Sequence, residues 1–441
     1  MEKKETRYLP RLVEETIAES LLTKGCIVIE GAKWCGKSTT AERFAKTVIK
    51  LQDPAKFKQF HALADVGDKQ KLFSGEKPIL FDEWQKIPDL WDYIRSEIDT
   101  HSYRGAFILT GSAKPREDKN RHSGIGRIKR VVLRTMSLWE SNESTGEVSL
   151  DKLFTGQTRT SAMGKYENNK TPMKISGKSK YGLRDIAVLL CRGGWPAAVV
   201  NESKNPAQTA TEYIDTLVTT DITDVDDIKR NPARARSILR AYARNISTAA
   251  ALSVIQKDIE ANDSVLDPRT LDSYLNAFEK LFVIEETVAW TPKLRSKTTI
   301  RTANTRHFSD PSIAASLLGA GADDLMNDMN TFGLLFENLC IRDIKTYSQT
   351  NSNVYNYHDK DGLEIDAIVH RNNGQWGAIE TKLGGETLIN SGAEKLLKLA
   401  KKVDIERMQP PAFLMVLVAV SEFAYRRQDG VIVVPIGCLK G

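Results

Sequence analysis

Gly31-Ala32-Lys33-Trp34-Cys35-Gly36-Lys37-Ser38-Thr39 is the stretch on which the reading of this chain turns. It follows the apolar run Cys26 to Ile29 and leads into apolar residues at Ala41, Phe44, Ala45, Val48 and Ile49. That spacing predicts a strand, a glycine-bearing loop and a helix, in that order. The loop fits G-x-x-x-x-G-K-[S/T], and each fixed position has a physical reason. Gly31 and Gly36 let the main chain turn its N–H groups inward as an anion cradle at a helix start. Lys37 reaches β- and γ-phosphates, and the Ser38 hydroxyl is a ligand for Mg²⁺. The expected ligand is a nucleoside triphosphate. An ordinary glycine turn is the competing reading, and the flanking strand and helix patterns argue against it.

A chain of 441 residues implies two to three domains, and 41% hydrophobic with 27% charged residues is a soluble globular composition. The formal charge of +6 is mild, so where the basic residues cluster says more. Cys26, Cys35, Cys191, Cys340 and Cys438 are scattered and form no CxxC pair, which reads as reduced thiols in a cytoplasmic protein. Cys35, inside the loop, is either an oxidation sensor or a small neutral filler. The amino terminus has no apolar h-region, and Ala412 to Val420 is too short to span a bilayer, so no membrane role is expected.

Residues 8–24 read as an amphipathic helix before the first strand. Pro78-Ile-Leu-Phe-Asp82-Glu83 is an apolar strand ending in two acids. Asp82 is placed to hold a Mg²⁺ shell and Glu83 to polarise an attacking water. A helix with Leu90, Trp91, Ile94 and Ile98 on one face follows. The strand after it, Ala106 to Ser112, puts Thr110 or Ser112 near the γ-phosphate, with a plain turn residue as the alternative for Thr110. Next comes a basic run from Lys114 to Arg134. Arg127, on the glycine-flanked loop His122-Ser-Gly-Ile-Gly-Arg127, either supplies charge to a transition-state phosphate, which in trans requires at least a dimer, or belongs to a solvated basic loop.

Taken as an ordered set, GAKWCGKST, ILFDEWQKIPDLW, FILTGSAKP, HSGIGRI and VLRTMSLWESNES resemble a bacterial and archaeal family of AAA-type ATPases with a C-terminal domain of unknown function. The resemblance runs from about residue 7 to the carboxyl end. It implies an α/β fold whose AAA-type αβα P-loop domain takes ATP and Mg²⁺ at the carboxyl edge of a parallel sheet. It also implies Lys37 and Ser38 as phosphate and Mg²⁺ residues, Asp82 and Glu83 as the Walker B pair, Thr110 at the end of a sensor strand, and Arg127 as the loop arginine. The expected boundaries are 1–141 for the ATPase core, 142–182 for an extended Ser/Thr/Gly/Asn/Lys-rich connector, 183–310 for a helical and winged-helix-like middle, and 311–441 for the C-terminal domain.

In the middle, Arg192-Gly-Gly-Trp195-Pro196 marks a sharp turn, and Pro206 to about Asp227 reads as one long helix. Arg236, Arg240 and Arg244 share a helix face, which is either a phosphate grip or a solvated stripe. Asp267-Pro268 opens a helix with Leu271, Tyr274, Leu275 and Phe278 inward, followed by a strand-like run from Leu281 to Trp290. This resembles a winged helix, as a DNA reader or as an interdomain prop. Lys293, Arg295, Lys297, Arg301 and Arg306 would suit its wing.

The C-terminal third carries a second constellation. Phe332 to Glu337 reads as helical with one acid, and Leu363-Glu-Ile-Asp366-Ala-Ile-Val369 and Trp376-Gly-Ala-Ile-Glu380-Thr-Lys382 read as strands. Glu380 and Lys382 share a face. Two carboxylates and a lysine on adjacent strands suit Mg²⁺-dependent phosphodiester cleavage. Asp366 and Glu380 would hold the metal, Glu337 could complete its shell, and Lys382 would steady or deprotonate the water. The set resembles the PD-(D/E)xK restriction-endonuclease-like superfamily, with Ile365 in place of the usual proline. Solvent-facing polar strand positions, or a nuclease fold used only for binding, are the alternatives. The expectation is therefore an ATPase coupled to a nuclease-like domain acting on DNA. An ATP-controlled switch that grips a partner without cleavage is the second reading, and a winged-helix transcriptional regulator is a weaker third.

Overall fold

The computed structural model describes residues 8–113, 124, 126–155, 174–201, 205, 207–226, 228–261, 266–292, 304–403 and 408–441. Helix α1 (Val13–Thr23) leads into the fully buried strand β1 (Cys26–Glu30). The helix after the glycine loop, α2 (Lys37–Glu42), is short, and the chain then turns into β2 (Thr47–Lys50). Val48 and Ile49, expected on a helix face, therefore stand in a strand. Thr47-Val48-Ile49 is a β-branched run whose stiff side chains favour extended backbone, and pairing with the next strand decides the matter.

Helix α3 (Pro54–Asp65), capped by Asp53, α4 (Lys69–Leu72), β3 (Ile79–Asp82), α5 (Leu90–His101), β4 (Phe107–Gly111) and β5 (Ile128–Val132) complete the first unit. Its five strands are parallel in the order β2-β3-β4-β1-β5. Parallel register puts the carboxyl ends of β1, β3 and β4 on one edge. Inserting β4 between β1 and β3 sets Thr110 level with Ile29 on one side and Asp82 on the other.

The expected connector at 142–182 contains β6 (Val148–Ser149) and α6 (Leu150–Phe154), whose Leu150, Leu153 and Phe154 are buried. Residues 156–173 lie outside the described residues. Helices α7 (Leu183–Arg192), α8 (Pro196–Val200), α9 (Gln208–Thr216), α10 (Ile222–Asp224), α11 (Pro232–Arg244), α12 (Leu252–Glu260), α13 (Pro268–Lys280), α14 (Pro311–Leu318) and α15 (Ala322–Asn327) form the middle. The long helix expected from Pro206 is α9 and α10 joined by a π turn at Leu217–Asp221. Helices α14 and α15 pack on α7 and α11, so the helical group continues past residue 310.

The expected strand at 281–290 is only a ribbon of bridges, Ile284 with Phe308 and Thr287 with Thr305, because Phe282 at φ 56 breaks the extended run. Trp290 N donates to Asn356 O (2.6 Å), tying this ribbon to the C-terminal sheet. Arg306 is buried and donates to Ala250 O, so it is no wing cation; Lys293, Arg295, Lys297 and Arg301 lie outside the described residues.

The last unit starts with α16 (Met329–Tyr347) and the antiparallel meander β7 (Ser352–His358), β8 (Glu364–Arg371) and β9 (Trp376–Lys382). Helix α17 (Glu386–Lys402) crosses to β10 (Leu414–Val418), followed by β11 (Tyr425–Arg426), β12 (Ile432–Pro435) and β13 (Leu439–Lys440). Six strands run β11-β12-β10-β9-β8-β7, while β13 pairs with β6. One sheet face joins the helical middle in a common core from Leu138 to Leu439, and α17 covers the other through Ile389, Ala393, Leu396 and Leu399. The middle and the end of the chain thus share one interior. Among the described residues no helix is long and apolar enough to cross a membrane.

Candidate nucleotide site and C-terminal acidic pocket

The loop between β1 and α2 has the backbone its glycines imply, with Gly31 at φ 152 and Gly36 at φ 103. A Cβ on Gly31 would lie 2.1 Å from Leu133 O, so only glycine fits there. The Lys37 ammonium is buried and donates to Ala32 O at 2.8 Å, folded back over the cradle it would share with phosphate. Ser38 Oγ donates to Asp82 Oδ1 at 2.6 Å, and Thr110 Oγ1 donates to the same oxygen at 2.5 Å. The sheet order therefore gathers Lys37, Ser38, Asp82 and Thr110 at one point. These hard oxygens beside a lysine fit a Mg²⁺–triphosphate. Glu83 follows in the left-handed region at φ 58, an uncommon conformation for a non-glycine residue, which turns its carboxylate out of the strand. That carboxylate accepts from Gln85 Nε2 and from Ser112 Oγ (3.2 Å).

The rest of the loop is held from outside. Lys33 pairs with Asp221 at 2.9 Å, and Trp34 meets Tyr213 edge-on with 5.8 Å between ring centroids. Cys35 Sγ is buried against Leu133 O (3.2 Å), which fits a filler rather than an accessible oxidation sensor. Arg11, absent from the sequence-based site, donates to Cys35 O (2.9 Å) and Arg134 O (2.7 Å) and pairs with Glu140. No local pattern marks it, because its partners are far off in sequence.

Arg127 stands at the other edge of the sheet. Gly25 N and Cys26 N donate to its carbonyl, at the amino end of β1, and its guanidinium pairs with Asp99. At about 3.3 Å per residue that is roughly 20 Å from the phosphate loop of the same chain. It therefore lies away from the phosphate loop of its own chain. Of the arginine stripe, Arg236 pairs with Asp215 and Arg244 with Asp258 (2.7 Å), while Arg240 is exposed. Most of that stripe is charge-matched within the chain.

In the C-terminal unit, Asp366 and Glu380 fall side by side, one step beyond the Ala367–Ile379 pair. Asp366 Oδ2 accepts from Thr381 N (2.7 Å) and Thr381 Oγ1 (2.8 Å). Glu380 is fully buried, with Lys382 Nζ 2.8 Å and Lys395 Nζ 3.4 Å from its Oε2. Neither Glu380 oxygen receives a well-directed hydrogen bond, so these are charge contacts and the carboxylate keeps acceptor capacity. Burial, and then the charge of Asp366, push Glu380 up to about 7.

Glu337 on α16 faces the same two carboxylates and is raised well above its ordinary value by burial and then by their charge. It also stands 3.5 Å from His307, which burial holds down to about 3 and therefore neutral. As the side chains stand, no three His, Cys, Asp or Glu among the described residues form a metal cage; Lys382 pairs with Glu380, and Thr381 N donates to Asp366. Asp366 and Glu380 nevertheless supply oxygen donors suited to Mg²⁺ or Mn²⁺, with Glu337 beside them. Sequence reading missed Lys395 and His307. Lys395 lies one turn beyond Gly392, whose missing side chain lets α17 approach Glu380, and that neighbourhood exists only in the folded chain.

Residues 23–142 match an AAA domain family, residues 183–324 a domain of unknown function (DUF8612), and residues 332–439 another domain of unknown function (DUF4143). No curated protein matches the chain in sequence. Among solved structures, the Walker-type ATPase of Pyrococcus abyssi is similar at 16% identity and a TM-score of 0.40, covering 71% of this chain and 97% of that one. A structure of Drosophila ORC bound to DNA is 12% identical at a TM-score of 0.17, covering 72% and 85%. At such scores neither likeness carries weight. The AAA match does, because it falls on the residues that build the nucleotide site.

Proposed function

We propose that this chain, with its AAA domain at residues 23–142, hydrolyses ATP and couples that cycle to divalent-cation-dependent DNA cleavage at Asp366, Glu380 and Lys382. The observation that carries the ATPase half is the convergence of Ser38 and Thr110 on one oxygen of Asp82, at 2.6 and 2.5 Å. Main-chain N–H groups of residues 31–39 and Lys37 bind the phosphates. Glu83 orients the attacking water and takes its proton, once released from Gln85 and Ser112. A Mg²⁺ ion held by Ser38 and Asp82 would offset charge on the β- and γ-phosphates.

The nuclease half is supported by the register of Asp366 beside Glu380 and by two lysines on that pocket. A divalent cation there would polarise the scissile phosphate. Lys382 and Lys395 balance the charge of the carboxylates and steady a water near the phosphate. The test is phosphate release with and without DNA, run beside a gel of the same DNA in Mg²⁺ and Mn²⁺. Release together with cutting is expected; an absence of Mg²⁺-dependent phosphate release sinks the reading.

The second reading is an ATP-controlled switch whose C-terminal unit grips a partner without cutting. The Lys33–Asp221 pair favours it, because it ties the phosphate loop directly to the helical middle. ATP turnover with DNA left intact in both metals would select it.

A further inference from the structure

Beyond the acidic pocket, the edge of the C-terminal sheet carries an exposed face that neither site uses. Residues 174–180 run antiparallel beside 421–424, with Lys178 opposite Phe423, Ala424 N donating to Gly177 O (2.8 Å) and Ser179 N to Glu422 O (3.3 Å). Alternation then sorts the side chains. Ile175, Gly177 and Ser179 are buried, while Lys174, Ser176, Lys178 and Lys180 are exposed. On the neighbouring strand Ala424 is buried, and Phe423 and Tyr425 are 49% and 39% exposed. A row of lysines thus lies beside two uncovered aromatic rings. Lys178 Nζ stands 5.9 Å from the Phe423 ring centroid. Glu147 is engaged by Lys178 N (2.9 Å) and Thr145 Oγ1 (2.8 Å), and Glu422 alternates away from the two rings.

Register ties this face to the acidic pocket. Glu380 pairs with Val416, Val416 with Val433, and Val433 with Tyr425. Lys382 pairs with Val418, and Val418 with Pro435, at the strand end where Phe423 lies. Paired residues project to the same side, so the aromatic rings stand on the face of Glu380 and Lys382. They are three strands away, about 14 Å at the usual strand spacing. Helix α17 packs on this same face, with Gly392 against the Glu380 and Val416 side chains and Asn390 Oδ1 accepting from Arg427 Nη1 at 2.7 Å.

We infer that Phe423 and Tyr425, with Lys174, Lys178 and Lys180, form a platform for single-stranded DNA at the edge of the sheet that carries the acidic pocket. Unpaired bases present π-faces to the rings while ammonium groups track the phosphates, a pairing that duplex DNA cannot offer because its bases are stacked inward. Rings and lysines need no 2′-hydroxyl, so DNA suffices. The inference rests on the nucleic-acid reading of the pocket but makes its own claim about binding.

Fluorescence anisotropy of the full chain at low salt tests it, using labelled oligo(dT), oligo(U) and a duplex. Oligo(dT) is expected to bind at least about fivefold more tightly than duplex. Phe423→Ala/Tyr425→Ala should lose about tenfold or more, at one stacked base per ring. Lys178→Ala/Lys180→Ala should bind more weakly with a shallower salt dependence. Val66→Ala, exposed on the first unit and outside both sites, should bind as the parent does, and the conservative Phe423→Tyr/Tyr425→Phe should retain affinity, separating lost stacking from lost folding. Unchanged affinity in the alanine pair, preference for oligo(U) or duplex, or no oligo(dT) binding overturns the platform. If this pattern holds but no DNA is cut, only the cleavage reading falls.

Discussion

Lys382 Nζ stands 2.8 Å from Glu380 Oε2, and that charge contact offsets only part of the cost of ionising a carboxylate with no exposed surface. Burial and then Asp366 raise Glu380 from 4.5 to about 7. The folded chain therefore holds this proton more tightly than the unfolded chain. Its contribution to stability is complete below about 4.5 and is lost as pH rises through about 7. In EDTA, thermal melting should fall over that window in the parent and fall less in Glu380→Gln. Identical profiles would mean that Glu380 is not the group responsible.

The same proton competes with a cation. Mn²⁺ should bind more weakly as pH falls below about 7, by up to about tenfold per unit, and should release protons on binding. Calorimetry in two buffers of different ionisation heat measures that release. Asp366→Ala should lose both the Mn²⁺ heat and the DNA cleavage while ATP turnover persists. Cleavage equal to that of the parent would remove the nuclease assignment.

In the nucleotide site, Lys37→Ala should abolish ATP binding, and Glu83→Gln should bind ATP with turnover reduced about a hundredfold or more. Thr110→Val removes one of the two donors on Asp82 and should lower turnover more than ATP affinity. A labelled-ATP binding assay beside phosphate release separates these outcomes. Full turnover in Glu83→Gln would mean that another group acts as base.

How far residues could be read from sequence follows the range of their contacts. Gly31 to Thr39, Asp82, Thr110 and Glu380 carry their pattern locally, and the fold sets Ser38 and Thr110 on Asp82 and Glu380 beside Asp366. Val48 and Ile49 misled because their spacing also fits a helix, and only pairing with Ile79–Asp82 makes them a strand. Arg127 lay in a suggestive loop, yet the sheet puts it at the wrong edge for its own chain. Arg11, His307 and Lys395 act across long sequence separations that no window spans.

Arg342 offers a test of the shared interior. Its guanidinium is buried and donates to Asp343 Oδ1 (2.9 and 2.7 Å) and Asp310 Oδ2 (3.1 Å). Asp310 Oδ2 also takes Gly194 N (2.9 Å), and Asp343 Oδ2 takes Leu138 N (3.0 Å). One ion cluster thus joins α16, the start of α14, the turn before α8 and the segment leaving the AAA domain. Arg342→Met leaves two buried carboxylates without their cation and should cost about 3–5 kcal/mol, read from the urea midpoint. Adding Asp310→Asn and Asp343→Asn removes the stranded charge and should recover part of that loss. A cost under about 1 kcal/mol for the single variant would show that water reaches the cluster and that the interior is not continuous there.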